Sequence, residues 1–344
     1  MADESSQLPH NRNNGVTRGV WRGADGLVHK ILTHRRTDAP PQWVSSSDPQ
    51  HWNYWRREAH VYQSGLPVRL GLGAPELVDF RARPDGDIEL MLTDVPGTHG
   101  GDMSIADIAA VAFALGTSQG TGSQPSEPWF SRGFLRDYST SRPADFALLE
   151  DESAWSIPLI AKYYPPEVRA ALVRMHRNRA RLLDLMLRLP RTVCHLDVWP
   201  NNVVRRPTGE VVFLDWAFVG DGAIGEDAGN LVPDSIFDWP HRARAGLAEE
   251  LSEAVTEAYL AGLKAAGWRG DSRLAVLGMR ASAVKYDWLM PWCLQGAKDD
   301  LARRAYGTGE QIDPEAGTEA GATGLAICAR WADEAIELAD ALGL

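Results

Sequence analysis

Cysteine is scarce in this 344-residue sequence: Cys194, Cys293 and Cys328 lie far apart, with no C-x-x-C pair among them. That pattern excludes a disulfide framework and a cysteine-based zinc site. No stretch approaches the run of about 18 consecutive apolar residues that a membrane-spanning helix needs. The polar start, Met1 to Gly15, lacks the apolar run after a basic patch that a secretory signal carries. The expectation is a cytoplasmic protein without a membrane partner. Basic residues are also in short supply, with 35 Lys and Arg against 46 Asp and Glu and a net charge of -11. Residues 1–96 carry a net -1 and residues 97–344 a net -10, so a polyanionic backbone is repelled and nucleic acid is not an expected partner. Internal repeats and long low-complexity tracts are missing too.

The content that remains, 44% hydrophobic and 24% charged, is that of an ordinary globular chain. Its first ninety-odd residues are strand-rich. A turn at Ala24-Asp25-Gly26 leads into a strand over 27–32, and Pro84-Asp85-Gly86 joins strands over 76–82 and 88–93. One helix is predicted between them, capped by Ser47 or Asp48 and stopped at Gly65. After Val95-Pro96-Gly97 the character changes. Helices are expected over 104–117 and 166–189, short strands over 192–195 and 211–214, and a helical tail from about 243 broken at Gly262, Gly267 and Gly296. These features predict an α+β chain with a small β-rich lobe over 1–96 and a large α-rich lobe over 97–344, hinged near Asp94–Gly97.

The most informative stretch runs Cys194-His195-Leu196-Asp197-Val198-Trp199-Pro200-Asn201-Asn202, followed after a turn at Gly209 by Val211-Val212-Phe213-Leu214-Asp215-Trp216. An Asp at the end of an apolar strand, beside a loop holding another Asp and an Asn, gathers oxygen ligands suited to magnesium. Phosphoryl transfer needs such a set: a carboxylate to take the proton of the attacking hydroxyl, and oxygen ligands for the metal that bridges the phosphates. In the small lobe, Lys30 falls mid-strand among apolar residues and Glu58 on the next helix. A buried lysine asks for a carboxylate partner, although Arg56 and Arg57 offer Glu58 local alternatives.

The H-x-D-x-x-x-x-N spacing followed by a strand and Asp resembles the aminoglycoside phosphotransferase and choline kinase family of small-molecule kinases, and in outline the protein-kinase catalytic pattern. The resemblance runs from about Gly15 to Leu231. It implies a two-lobed protein-kinase-like fold that uses ATP and Mg2+ to phosphorylate a hydroxyl of a small molecule. By that resemblance Asp197 is the catalytic base, Asn202 and Asp215 hold magnesium, and Lys30 paired with Glu58 meets the phosphates. His195 holds the catalytic loop, and Asp227, at the start of a helix, ties that loop down.

The phosphate-covering loop can only be Asn14-Gly15-Val16-Thr17-Arg18-Gly19, which departs from G-x-G-x-x-G. The resemblance also implies that adenine bonds to backbone groups near Asp94 and Val95. For the acceptor, the segment from Asp227 to Asp238 has no Lys or Arg. Asp234 and Asp238 are therefore candidates to line a pocket for a cationic acceptor, with Trp288 and Trp292 as stacking faces. Arg242, Arg244, Lys285 and Lys298 lie further along and oppose that charge. The leading expectation is an antibiotic kinase acting in resistance or self-protection. A metabolic kinase for an amino sugar, other sugar or amino alcohol is the alternative, and a nucleotide-binding pseudokinase the rival of another class.

Overall fold

The structure, a computed structural model, describes residues 6–237, 244–299 and 311–344. Strands β1 (Ser6–Gln7), β2 (Thr17–Arg22), β3 (Leu27–Leu32), β4 (Leu77–Ala82) and β5 (Ile88–Thr93) form one antiparallel sheet in the order β1-β2-β3-β5-β4. Strand β3 is central, and Lys30 stands opposite Val20 on one side and Leu90 on the other. The helix Arg57–Ser64 follows and ends, as expected, on Gly65 in the left-handed conformation at φ 63°.

That helix starts at Arg57, not at Ser47 or Asp48. The Asp48 carboxylate closes a turn on the Gln50 N–H, and the carbonyls of Pro49, His51 and Trp52 point at the Arg57 guanidinium. Those carbonyls are thereby spent outside any helical ladder.

Beyond β5 the chain is mostly helical. Helix Ile105–Gly120 opens with a reciprocal capping box between Ser104 and Asp107. The expected 166–189 helix is two, Pro166–Arg177 and Arg179–Arg188, interrupted at Asn178. In the tail, Gly267 ends a helix at φ 79°, but Gly262 and Gly296 lie inside helices Ala248–Ala265 and Leu289–Lys298. A Cβ on Gly262 would fall 2.3 Å from the Phe113 carbonyl, so this glycine serves close helix packing rather than a break. Helices Ser272–Ala281 and Pro314–Leu342 complete this part of the fold.

Two small sheets sit among the helices. Strands β6 (Thr98–His99), β8 (Val203–Arg205) and β9 (Val211–Phe213) make one; β7 (Arg191–Cys194) and β10 (Gly220–Ala223) make the other. Both flank the segments 195–202 and 214–219. A secondary apolar cluster of Trp43, Trp52, Phe134, Cys194, Leu196, Ala217 and Phe218 lies under them, so the 33–56 connection reaches across and packs there. All three cysteines are buried. No helix among the described residues is long and apolar enough to cross a membrane.

Candidate active site

Among the described residues two that are not glycine have left-handed backbone, Leu196 at φ 68° and Asp215 at φ 53°. For a leucine this conformation is strained and needs support from its surroundings. The buried carboxylate of Asp227 gives that support, accepting the N–H groups of His195 and Leu196, each at 2.8 Å. Gln119, on a neighbouring helix, donates its Nε2–H to the same carboxylate at 2.9 Å. Burial pushes the Asp227 carboxyl up to about 6, against the pull of these backbone donors.

His195 links the two strained segments. Its Nε2 donates to the Leu214 carbonyl at 2.9 Å, and its Nδ1 accepts the Asp197 N–H at 3.3 Å. Burial pulls this histidine from 6.5 down to about 4, so it is neutral at pH 7. An unfolded chain regains the ordinary value, and protons therefore favour the unfolded state between the two. Stability is expected to fall as pH drops from about 6.5 to about 4, by up to about 3 kcal/mol from this residue. Urea unfolding across that range would be shallower in pH for His195→Gln, which keeps a donor but does not titrate.

Asp197 follows the strained leucine. Asn202 holds it, Nδ2 donating to its carboxylate at 2.8 Å and to its carbonyl at 3.0 Å. Burial pushes the Asp197 carboxyl up to about 7, with Lys285 pulling down and Asp215 and Asp234 pushing further up.

Lys30 joins the sheet to this region. Its Nζ lies 2.6 Å from Glu58 Oε2 and 2.9 Å from Asp215 Oδ1, with the ammonium and Glu58 both buried and Asp215 partly open. Burial works against the ammonium, but the two carboxylates outweigh it and Lys30 is held charged. One cation between two anions splits them: Glu58, the more buried, is raised by burial, and Asp215 is lowered by Lys30 despite burial. Neither neighbouring arginine competes for Glu58. Arg56 stacks on Trp55 at 4.5 Å, and Arg57 is wholly engaged by carbonyls.

Other expected positions are occupied differently. Gly15 is buried, its N–H donating to the Trp43 carbonyl at 2.9 Å, and a Cβ there would meet that oxygen at 2.5 Å. Its smallness serves packing against residues 43–45. Thr17 to Gly19, assigned to the same loop, belong to β2, and the β1–β2 connection is 8–16. The Asp94 carboxylate takes two Arg22 N–H groups and also the Val95 N–H.

Asp234, expected free to line a pocket, is ion-paired with Lys285 at 3.3 Å. Asp238 and Arg242 lie outside the described residues. Arg244 donates to the carbonyls of Gly100, Gly101 and Met103, and Lys298 pairs with Asp151. Trp288 and Trp292 meet edge to face at 6.4 Å, and Trp292 is about half exposed. Sequence reasoning missed Arg142, whose guanidinium lies 4.2 Å from the Trp43 ring and 4.0 Å from that of Tyr138. Nothing in its local sequence distinguishes it from a surface arginine.

The model of the phosphotransferase enzyme family matches residues 56–269. The chain belongs to this family. It is a phosphotransferase with an α+β fold, an antiparallel sheet followed by a mostly helical region. Lys30 lies upstream of the matched segment. This phosphotransferase is similar in structure to an aminoglycoside phosphotransferase from Streptomyces rimosus, at 18% identity and a TM-score of 0.47, over 82% of this chain and 93% of that one. It is also similar to the choline kinase of Streptococcus pneumoniae, at 16% identity and a TM-score of 0.43, over 93% of both chains. A choline/ethanolamine kinase family protein from Mesorhizobium loti matches at 14% identity and a TM-score of 0.48, over 95% and 92%. No curated protein sequence matches the phosphotransferase.

Proposed function

We propose that this phosphotransferase moves the terminal phosphoryl group of ATP, with magnesium, onto a hydroxyl of a small molecule. The observation that carries the proposal is the convergence of Lys30 on Asp215, 185 positions away, beside an Asp197 carboxylate held by Asn202. Retention of all four groups in one region favours an enzyme over a pseudokinase. Asp197 receives the proton as the acceptor's O–H bond breaks. The acceptor oxygen bonds to phosphorus, and the bond from phosphorus to ADP opens. Lys30 balances phosphate charge, and Glu58 fixes Lys30 in place. Catalysis rests on positioning and charge, with no covalent intermediate on the protein.

The residues fit magnesium. Asp215 leaves its side chain 41% exposed, and Asn202 commits its amide nitrogen to Asp197, keeping its carbonyl oxygen as a ligand. Among the described residues no three His, Cys, Asp or Glu side chains gather as a metal cage, so phosphate oxygens and water would complete the shell. When bound, the ion would neutralise charge on the phosphates.

For the acceptor, the family resemblance puts an antibiotic hydroxyl first, and a metabolic amino sugar, other sugar or amino alcohol second. The pairing of Asp234 with Lys285 takes one of the two carboxylates away from the charge-based ground for preferring a cationic acceptor. The test is ADP release from ATP across antibiotics, amino sugars, sugars and amino alcohols, with Asp197→Asn as control. Acceptor-dependent ADP release is expected from the native protein only; none with any acceptor would favour the pseudokinase.

Lys30→Ala gives a second check. Affinity for ATP is expected to fall about tenfold or more, a change of at least about 1.4 kcal/mol, while adenosine, lacking phosphates, binds as before. Equal losses for both in calorimetry would point instead to a damaged small lobe.

A further inference from the structure

Arg57 is fully buried, and no carboxylate pairs with it among the described residues. Instead every N–H of its guanidinium meets a main-chain carbonyl. Nε donates to Trp129 at 2.9 Å, one terminal nitrogen to Trp52 at 2.8 Å and Ala217 at 3.0 Å, and the other to Pro49 at 2.9 Å and His51 at 2.6 Å. A guanidinium has five donors in a rigid planar fork, and all five are used; a lysine offers three without that geometry. Burying a cation in this way is costly, and an apolar side chain would fill the space more cheaply if packing were all that was needed.

The acceptors belong to three separate stretches, and one of them is the segment that carries Asp215. Two residues there are held from the same helix turn: Asp215 through Lys30 and Glu58, and Ala217 by its carbonyl through Arg57. The links close a ring: Asp215 to Lys30, Lys30 to Glu58, Glu58 to its neighbour Arg57, Arg57 to Ala217, and back along the chain.

We propose that Arg57 is a positioning residue for the phosphate site: by gripping the Ala217 carbonyl it fixes the Asp215 segment against the helix bearing Glu58, so that Lys30 is held between the two carboxylates. Arg57 touches neither nucleotide nor acceptor. The role rests on the phosphoryl-transfer function proposed above, and its loss is read at the phosphates and not at the base.

The experiment is calorimetric titration of Arg57→Lys and Arg57→Gln with ATP and with adenosine, in magnesium, at a temperature where circular dichroism reports the native fold. ATP affinity is expected to fall about tenfold while adenosine affinity stays within about twofold. In the Glu58→Gln background the same Arg57 substitution should cost ATP affinity little more, because both residues act through Lys30. Unchanged ATP affinity in a less stable protein, equal losses for ATP and adenosine, or fully additive losses with Glu58→Gln would each overturn the proposal. Failure of both variants to fold would also overturn it, by making Arg57 a determinant of folding alone. A native protein that binds adenosine as tightly as ATP would instead remove the phosphate-site proposal itself, and this inference with it.

Discussion

Asp197→Asn is expected to lower turnover by roughly 10²–10⁴, the range lost when a positioned general base is removed, with folding and ATP binding nearly unchanged. The substitution conserves shape. The new side chain can turn its carbonyl oxygen toward Asn202 Nδ2 and keep that bond, and the contacts of Asp227 with His195 and Leu196 are untouched. What disappears is the group proposed to take the hydroxyl proton. Steady-state rates with a saturating acceptor, beside ATP titrations and thermal melts, separate these effects. Turnover close to that of the native protein would dismiss Asp197 as the base.

Asp215→Ala is expected to weaken magnesium-dependent ATP binding and to lower the rate by on the order of 10²–10³, as when a preorganised charge is deleted from a transition state. Its effect on folding should be small. Lys30 keeps Glu58 at 2.6 Å, so one buried cation and one buried carboxylate remain as a balanced pair. The left-handed backbone at position 215 suits aspartate somewhat better than alanine, so thermal melts accompany the titrations. Titrations at several magnesium concentrations provide the check: the native protein should gain ATP affinity with magnesium, and the variant should gain much less. Identical magnesium dependence and an unchanged rate would count against a metal role.

Much of this arrangement was legible in the sequence because its chemistry is local. The β3 strand and the turn before it, the Gly65 stop, and the Asp197 and Asn202 spacing each depend on residues within a few positions of one another. Lys30 and Glu58 could be paired across 28 residues because a buried ammonium requires a carboxylate and the family resemblance puts one on the next helix. Failures came where distant main-chain groups decide the outcome. The helix start at Arg57 depends on carbonyls drawn onto one guanidinium, including those of Trp129 and Ala217. Gly262 looked like a break because its partner, the Phe113 carbonyl, lies on another helix. Asp234 looked free because Lys285, 51 residues on, was counted as a charge in the same cleft and not as its partner. The packing of Gly15 in the β1–β2 connection depends on residues 43–45, which its own loop does not announce.

The burial of the three thiols gives the molecule an internal clock. Cys194 and Cys328 have no exposed surface, and burial raises both thiols well above their ordinary range, so neither offers thiolate to a reagent in the native state. Alkylation must wait for the chain to open. Cys194 ends the strand that leads into the strained segment 195–202, and Cys328 lies within the last helix. The two therefore time the opening of different regions, without any label having to be introduced.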